Sequence, residues 1–135
     1  MTTLGRLEEA AEVVHRVIRP TPQICWPLLS ERCGCEVWVK HENHTATGAF
    51  KVRGGIVYFE ELRKARPEVR GVLSATTGNH GQSVAFAARV HGVDAVVVVP
   101  HGNSVDKNRA MQALGAELVV AALALVLAGR LSETE

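Results

Sequence analysis

The sequence predicts an α/β protein, a parallel sheet with flanking helices, and three observations carry that fold class. From residue 71 onward, strand-like and helix-like stretches alternate across short links, the pattern of consecutive βαβ units. "DAVVVVP" (94–100) is a run of β-branched residues without polar alternation, as expected of a parallel strand covered on both faces. Gly92 and Gly115 follow the last apolar positions of the two helical stretches, where a chain commonly leaves a helix.

In chain order, residues 4–19 place Leu7, Ala10, Ala11, Val14 and Ile18 on one helical stripe, which Pro20 ends. "RPTPQICWP" (19–27) holds three prolines and reads as extended or turned. "EVWVK" (36–40) alternates apolar and polar residues as a strand does. The loop "HENHTATG" (41–48) leads to a second helix with apolar positions at Phe50, Ile56, Val57, Phe59 and Leu62. After Pro67, "GVLSA" (71–75) reads as a buried strand and residues 79–91 as a helix. Ser104 is a suitable N-cap for a helix to Leu114, and "AELVV" (116–120) opens a further strand. Three strands linked by two helices call for a parallel sheet with right-handed crossovers. The remainder, ending "AALALVLAGRLSETE", breaks this beat. A three-stranded parallel sheet with bare edges stands poorly alone, so the fold is expected to be incomplete within this chain.

Composition narrows the functional classes. The 135 residues are 47% hydrophobic and 21% charged, ordinary for a globular chain. A formal charge of +1 gives no electrostatic case for nucleic acid or an anionic membrane surface. The start of the chain carries acids and no continuous apolar core, unlike a secretory signal. The longest apolar run, 118–128, falls short of the ~18 residues of a membrane span. Three cysteines, Cys25, Cys33 and Cys35, make an odd count without a disulfide-like framework, which suits reduced thiols and a cytoplasmic location. "CGC" (33–35) has no second pair of ligands, and no metal is expected.

Two stretches carry possible chemistry. "TATGAFKVRGG" (45–55) sets Lys51 behind an Ala-Phe pair at a helix start, a setting in which desolvation would free the amine lone pair. "SATTGNHGQS" (74–83) puts Thr76, Thr77, Gly78, Asn79 and His80 at a strand's carboxyl end, where α/β sheets bind ligands. Hydroxyls, a side-chain amide and unpaired backbone N–H groups there make a nest for a carboxylate or phosphate. The plainer alternatives are a solvated lysine and a helix capped by Thr77 or Asn79. "HENH" (41–44) lacks zinc-protease spacing, so His41 and His44 read as loop residues, as does His101. Neither nucleotide-binding glycine motif nor a G-x-S-x-G elbow occurs.

Taken together, "TP" (21–22), "KHEN" (40–43), "TGAFKVRGG" (47–55), "GNHGQ" (78–82) and the 96–119 stretch resemble the fold-type II, tryptophan synthase beta-like, pyridoxal-phosphate enzymes. The likeness runs from about residue 15 to 120 and is strongest to the threonine/serine dehydratase branch, which includes serine racemase. The resemblance implies that Lys51 forms the imine with the cofactor aldehyde and then removes the substrate Cα proton. It implies that Phe50 lies beside the cofactor ring and that Asn79 hydrogen-bonds the ring's phenolic oxygen. Thr76, Thr77, Gly78 and His80 would bind the amino acid's carboxylate. The implied activity is conversion of threonine or serine to a 2-oxo acid and ammonia; the alternatives are a racemase of the same family or a catalytically inactive truncated fragment. Ala49, Thr45 and Thr77 depart from the family's usual Ser, Gln and Ala or Ser. The family's glycine-rich phosphate loop does not occur in these residues. The expected organisation is 1–50 as part of a larger domain, 51–120 as a partial cofactor-side domain, and 121–135 as a non-matching tail. A small amino acid is the expected partner, with a homo-oligomer as a further possibility.

Overall fold

The computed structural model describes residues 3–121. Helix α1 (Leu4–Val17) starts at Thr3, whose hydroxyl accepts from the Arg6 N–H. Of its predicted stripe only Val14 is fully buried, while Leu7 is exposed. Strands β1 (Gln23–Cys25) and β2 (Trp38–Lys40) pair antiparallel, with Ile24 opposite Val39. Between them lies helix α2 (Pro27–Cys33), where the proline-rich stretch predicts only extended or turned chain. Pro27 occupies the first helical turn, where its missing N–H has no partner to lose, and Gly34 closes the helix at φ 69°. A single 3-10 turn, Glu42–His44, follows β2.

Helix α3 (Lys51–Ala65) buries Val52, Ile56 and Phe59 along one face. Each of those side chains contributes about 1.5–3 kcal/mol on leaving water. The α/β layer then follows the predicted beat. Strands β3 (Gly71–Ala75), β4 (Asp94–Pro100) and β5 (Glu117–Ala121) form one parallel sheet in the order β3-β4-β5. Helices α4 (Asn79–Val90) and α5 (Val105–Ala113) make the crossovers, the latter capped by the Ser104 side chain as predicted. Ala95, Val97 and Val99 share one face of the central strand and join α3 and α4 in a single core cluster with Met111. Half-buried Val13, Val17 and Ile18 of the α1 region pack against that cluster.

Strand β3 differs from the buried strand expected. Its residues alternate between exposed and half-buried, and Leu73 is 57% exposed. The cause is position: β3 is the sheet's edge, and only the face bearing Val72 meets the core cluster. The tail assigned to 121–135 lies, apart from Ala121, outside the described residues. Among the described residues no helix is long and apolar enough to cross a membrane.

Candidate functional site

Parallel strands align their carboxyl ends, so the loops after β3 and β4 share one edge of the sheet. The β3 loop continues the ladder by one bond, Thr76 N–H to the Val98 carbonyl at 3.0 Å, and then turns into α4. Gly78 is the N-cap of α4 and supplies no side-chain acceptor. Neither Thr77 nor Asn79 caps the helix, so among the described residues their side chains and the first-turn N–H groups are left for another partner. Thr77, Asn79 and His80 are exposed, Thr76 is half-buried and Gly78 is buried.

Close packing holds that helix in place. A Cβ on Gly81 would collide with the Met111 sulfur and come within 3.0 Å of Thr76 Cγ2, so only glycine lets α4 approach the sheet and α5 this closely. Lys107, in the first turn of α5, comes beside the loop: a Cβ on Gly78 would lie 3.1 Å from its Nζ. This cation is unremarkable in the sequence and is placed by the second crossover.

Lys51 is the first residue of α3, reached through a locally closed turn. The Thr45 hydroxyl accepts from the Ala49 N–H at 3.0 Å and lies 2.9 Å from the Ala49 carbonyl, to which Thr47 also donates at 3.3 Å. Gly48, at φ 63°, supplies the left-handed residue of that turn. Ala49 is buried, but Phe50 is 64% exposed and Lys51 is exposed as well, so the expected sheltering of the amine by an Ala-Phe pair is absent. The ring sits at the corner where the chain enters α3, and only Ala49 turns inward.

The amine end of α3 opens on a pocket of about 580 Å³ whose wall includes Phe50, Lys51, Tyr58, Leu73, Ser74 and His80. Of the predicted site residues, the pocket brings together Phe50, Lys51 and His80. Thr76, Thr77, Gly78 and Asn79 are not part of its wall and stand on the adjoining loop.

Behind Lys51 lies a network that the motifs contain but whose pairing no spacing rule reveals. Arg53 grips Glu42 with two bonds, Nε to Oε2 at 2.7 Å and an Nη to Oε1 at 3.0 Å. The buried Thr21 hydroxyl donates to Glu42 Oε1 at 2.6 Å, and Lys40 Nζ donates to the Thr21 carbonyl at 3.1 Å. The Arg53 guanidinium, followed by the Thr21 hydroxyl, holds the Glu42 carboxyl below the usual range against an opposing desolvation effect. "TP", "KHEN" and "KVRGG" are thus three sides of one clasp that fixes the first turn of α3. Ser83, 1% exposed on α4, adds a bond to the Lys51 carbonyl at 2.8 Å.

Other polar clusters remain outside the pocket wall. Trp26 donates its indole N–H to His41 at 3.1 Å, and His44 and His101 are exposed. Cys25, Cys33 and Cys35 are free thiols, and among the described residues no cluster of three or more His, Cys, Asp or Glu is arranged to hold a metal ion.

Residues 14–134 match the family described as "Pyridoxal-phosphate dependent enzyme", a match that runs into the segment set aside above as a non-matching tail. The chain is 35% identical to the L-threonine ammonia-lyase of Thermotoga maritima over 120 residues, covering 89% of this chain and 30% of that protein. It is 36% identical to serine racemase of Bos taurus over 115 residues, covering 84% of this chain and 34% of that one. The solved serine racemase of Dictyostelium discoideum superposes with a TM-score of 0.82 at 29% identity, over 96% of this chain and 42% of that chain. The chain therefore spans about a third of the length of the curated relatives it matches.

Proposed function

Because the chain belongs to the pyridoxal-phosphate dependent enzyme family, we propose that it carries the amine-bearing part of a threonine (or serine) ammonia-lyase site. One observation carries the reading: Phe50, Lys51 and His80, from two segments of chain, line one open pocket at the starts of two packed helices. The donor set suits the aldehyde end of pyridoxal phosphate. An exposed primary amine stands beside an aromatic ring, and an uncapped helix start lies next to a lysine cation.

When bound, pyridoxal phosphate supplies an electron sink for negative charge at the amino acid's Cα. Lys51 Nζ would hold the cofactor aldehyde and, once displaced from it by the substrate's amine, would be free to take up the Cα proton. Phe50 would give an apolar wall at the ring, and the Asn79 side-chain amide would donate to the ring's oxygen. Thr76, Thr77, Gly78 and His80 hold the substrate carboxylate through hydroxyls, backbone N–H and imidazole N–H, as charge-assisted hydrogen bonds do. Loss of the β-hydroxyl as water, followed by hydrolysis, gives a 2-oxo acid and ammonia; from threonine the acid is 2-oxobutanoate. In this reading residues 51–120 form the cofactor-side unit and 1–50 belong with a larger domain. The separate β1–β2 pair supports that boundary, although α1 packs on α3.

A second reading, amino-acid racemisation, is favoured by one detail: the exposed Thr77 is not used as a helix cap and is free to act on a substrate. Product analysis separates the two, since racemisation releases neither ammonia nor a 2-oxo acid.

The test is a titration of the purified chain with pyridoxal phosphate beside Lys51→Ala. A lysine-dependent visible absorbance band, distinct from that of free pyridoxal phosphate, supports the site, and L-threonine and L-serine are then supplied. Identical spectra for the two proteins would refute it. A band without product would favour the remaining reading, a chain that holds the cofactor without turnover.

A further inference from the structure

We propose that the Ser83 hydroxyl is a positioning group for the Lys51 amine, fixing the start of α3 relative to the 76–80 loop. This rests on the reading of Lys51 given above. Ser83 lies one helical turn beyond Asn79, on the helix whose start carries the candidate carboxylate-binding residues. Ser83 is 1% exposed and its hydroxyl faces Gly55 of α3 beside Ala87, where a polar group is costly unless it is hydrogen-bonded. The bond it makes is to the Lys51 carbonyl, at 2.8 Å. Among the described residues this is the only side-chain hydrogen bond between α3 and α4, the most extensively packed pair of helices.

The slot that holds this hydroxyl is created from the other side. Gly55 faces it one turn along α3, and a Cβ there would collide with Ser83 Oγ. A slot of that kind needs no polar group for packing alone, since an alanine, as at Ala85, Ala87 and Ala88 of the same helix, would fill it. The first carbonyl of α3 receives a donor from α4 in addition to its own helix, which ties the residue bearing the amine to the helix bearing Asn79 and His80. A frayed first turn would let the amine wander relative to those groups, and a misplacement of this size lowers reactivity without unfolding the protein.

The test uses the full chain and pyridoxal phosphate as an amine probe. Adducts are trapped with borohydride and quantified by peptide mass spectrometry. Lys51 is scored against Lys64, an exposed lysine on the same helix, across a pH series. In the parent protein Lys51 is expected to react in preference to Lys64. Ser83→Ala is expected to lower the Lys51-to-Lys64 ratio by about fivefold, the factor that one ordinary hydrogen bond represents. Ser83→Cys, which keeps a weak donor in the slot, should recover part of it. Amide exchange in Ser83→Ala should quicken over residues 54–58, whose N–H groups bond the first carbonyls of α3, while 84–88 stay protected; equal loosening of both would overturn a positioning role in favour of a purely structural one. If the parent shows the preference and Ser83→Ala retains it, the role of Ser83 alone is refuted. If Lys51 in the parent reacts no faster than Lys64, the cofactor-site reading falls, and the positioning role falls with it.

Discussion

Glu42→Gln tests whether the clasp behind Lys51 holds the first turn of α3. The wild-type carboxylate accepts two bonds from Arg53 and one from Thr21, with side-chain exposures of 18% for Glu42 and 23% for Arg53. Glutamine keeps the shape but presents an NH2 to a guanidinium that can only donate, so at least one charge-assisted bond is lost. Such a bond contributes about 1.5–3 kcal/mol. Breaking a fully buried pair costs ~3–5 kcal/mol, and residual solvation here brings the figure lower. A loss of about 2 kcal/mol is expected, roughly a thirtyfold fall in the folding equilibrium constant. Urea unfolding followed by circular dichroism reads this as a lower midpoint at constant slope. Arg53→Met should cost a similar amount, and the double variant little more than either alone, because the partners share one interaction. The pH profile gives an independent check. Because folding lowers the Glu42 pKa from its ordinary 4.5, the unfolded state takes up the proton first. The clasp's contribution is therefore complete above about pH 4.5 and is lost as pH falls through the lower folded value, a decline that Glu42→Gln should lack. Additive costs for Glu42→Gln and Arg53→Met, or a midpoint unchanged by Glu42→Gln, would refute the reasoning.

Further outcomes follow from the packing and titration of single residues. Gly81→Ala forces a methyl against Met111, Thr76 and Val97 and should destabilise by about 1–3 kcal/mol, measured by the same urea assay. Gly54→Ala, with nothing within 4 Å of the new Cβ, should instead stabilise α3 by up to about 1 kcal/mol. His91 is held below its ordinary pKa of 6.5, chiefly by desolvation, with Glu60 opposing and Arg63 adding to the shift, and its buried Nε2 has no partner among the described residues. The unfolded chain therefore binds the proton first, and stability should fall as pH drops from about 6.5 through the lower folded value. His91→Phe, which takes up no proton, should flatten that part of a stability–pH curve.

Legibility in the sequence followed the range of the interactions. The "DAVVVVP" strand matches its element residue for residue, because burial in the middle of a sheet leaves an uninterrupted apolar run. "GVLSA" is equally well bounded, yet its exposure differs from a buried strand's: edge position depends on strand order, which periodicity does not encode. Helix α2 went unseen because Pro27, read with two nearby prolines as turn chemistry, in fact starts a helix that Gly34 ends. The fold-type resemblance gathered Thr21, Glu42, Lys51 and Arg53 as motif members. It did not show that Glu42 and Arg53 meet, since one lies in the 3-10 turn after β2 and the other in α3, and no periodicity carries across the loop between them. The contact of Ser83 with the Lys51 carbonyl spans two helices and was equally hidden. Phe50 carried an apolar signal and proved exposed, because a residue at a helix corner need not follow the stripe behind it.

The Thr45–Ala49 closure has a consequence for the heat of binding at Lys51. These residues are already fixed by their own hydroxyl-to-backbone bonds. A loop ordered only on association would add about 1–2 kcal/mol of unfavourable entropy for each residue immobilised. Here that loss falls within folding, where the core offsets it. A ligand captured by the lysine should therefore show a calorimetric signature free of a large ordering penalty, with a heat-capacity change no greater than the pocket's own apolar surface accounts for.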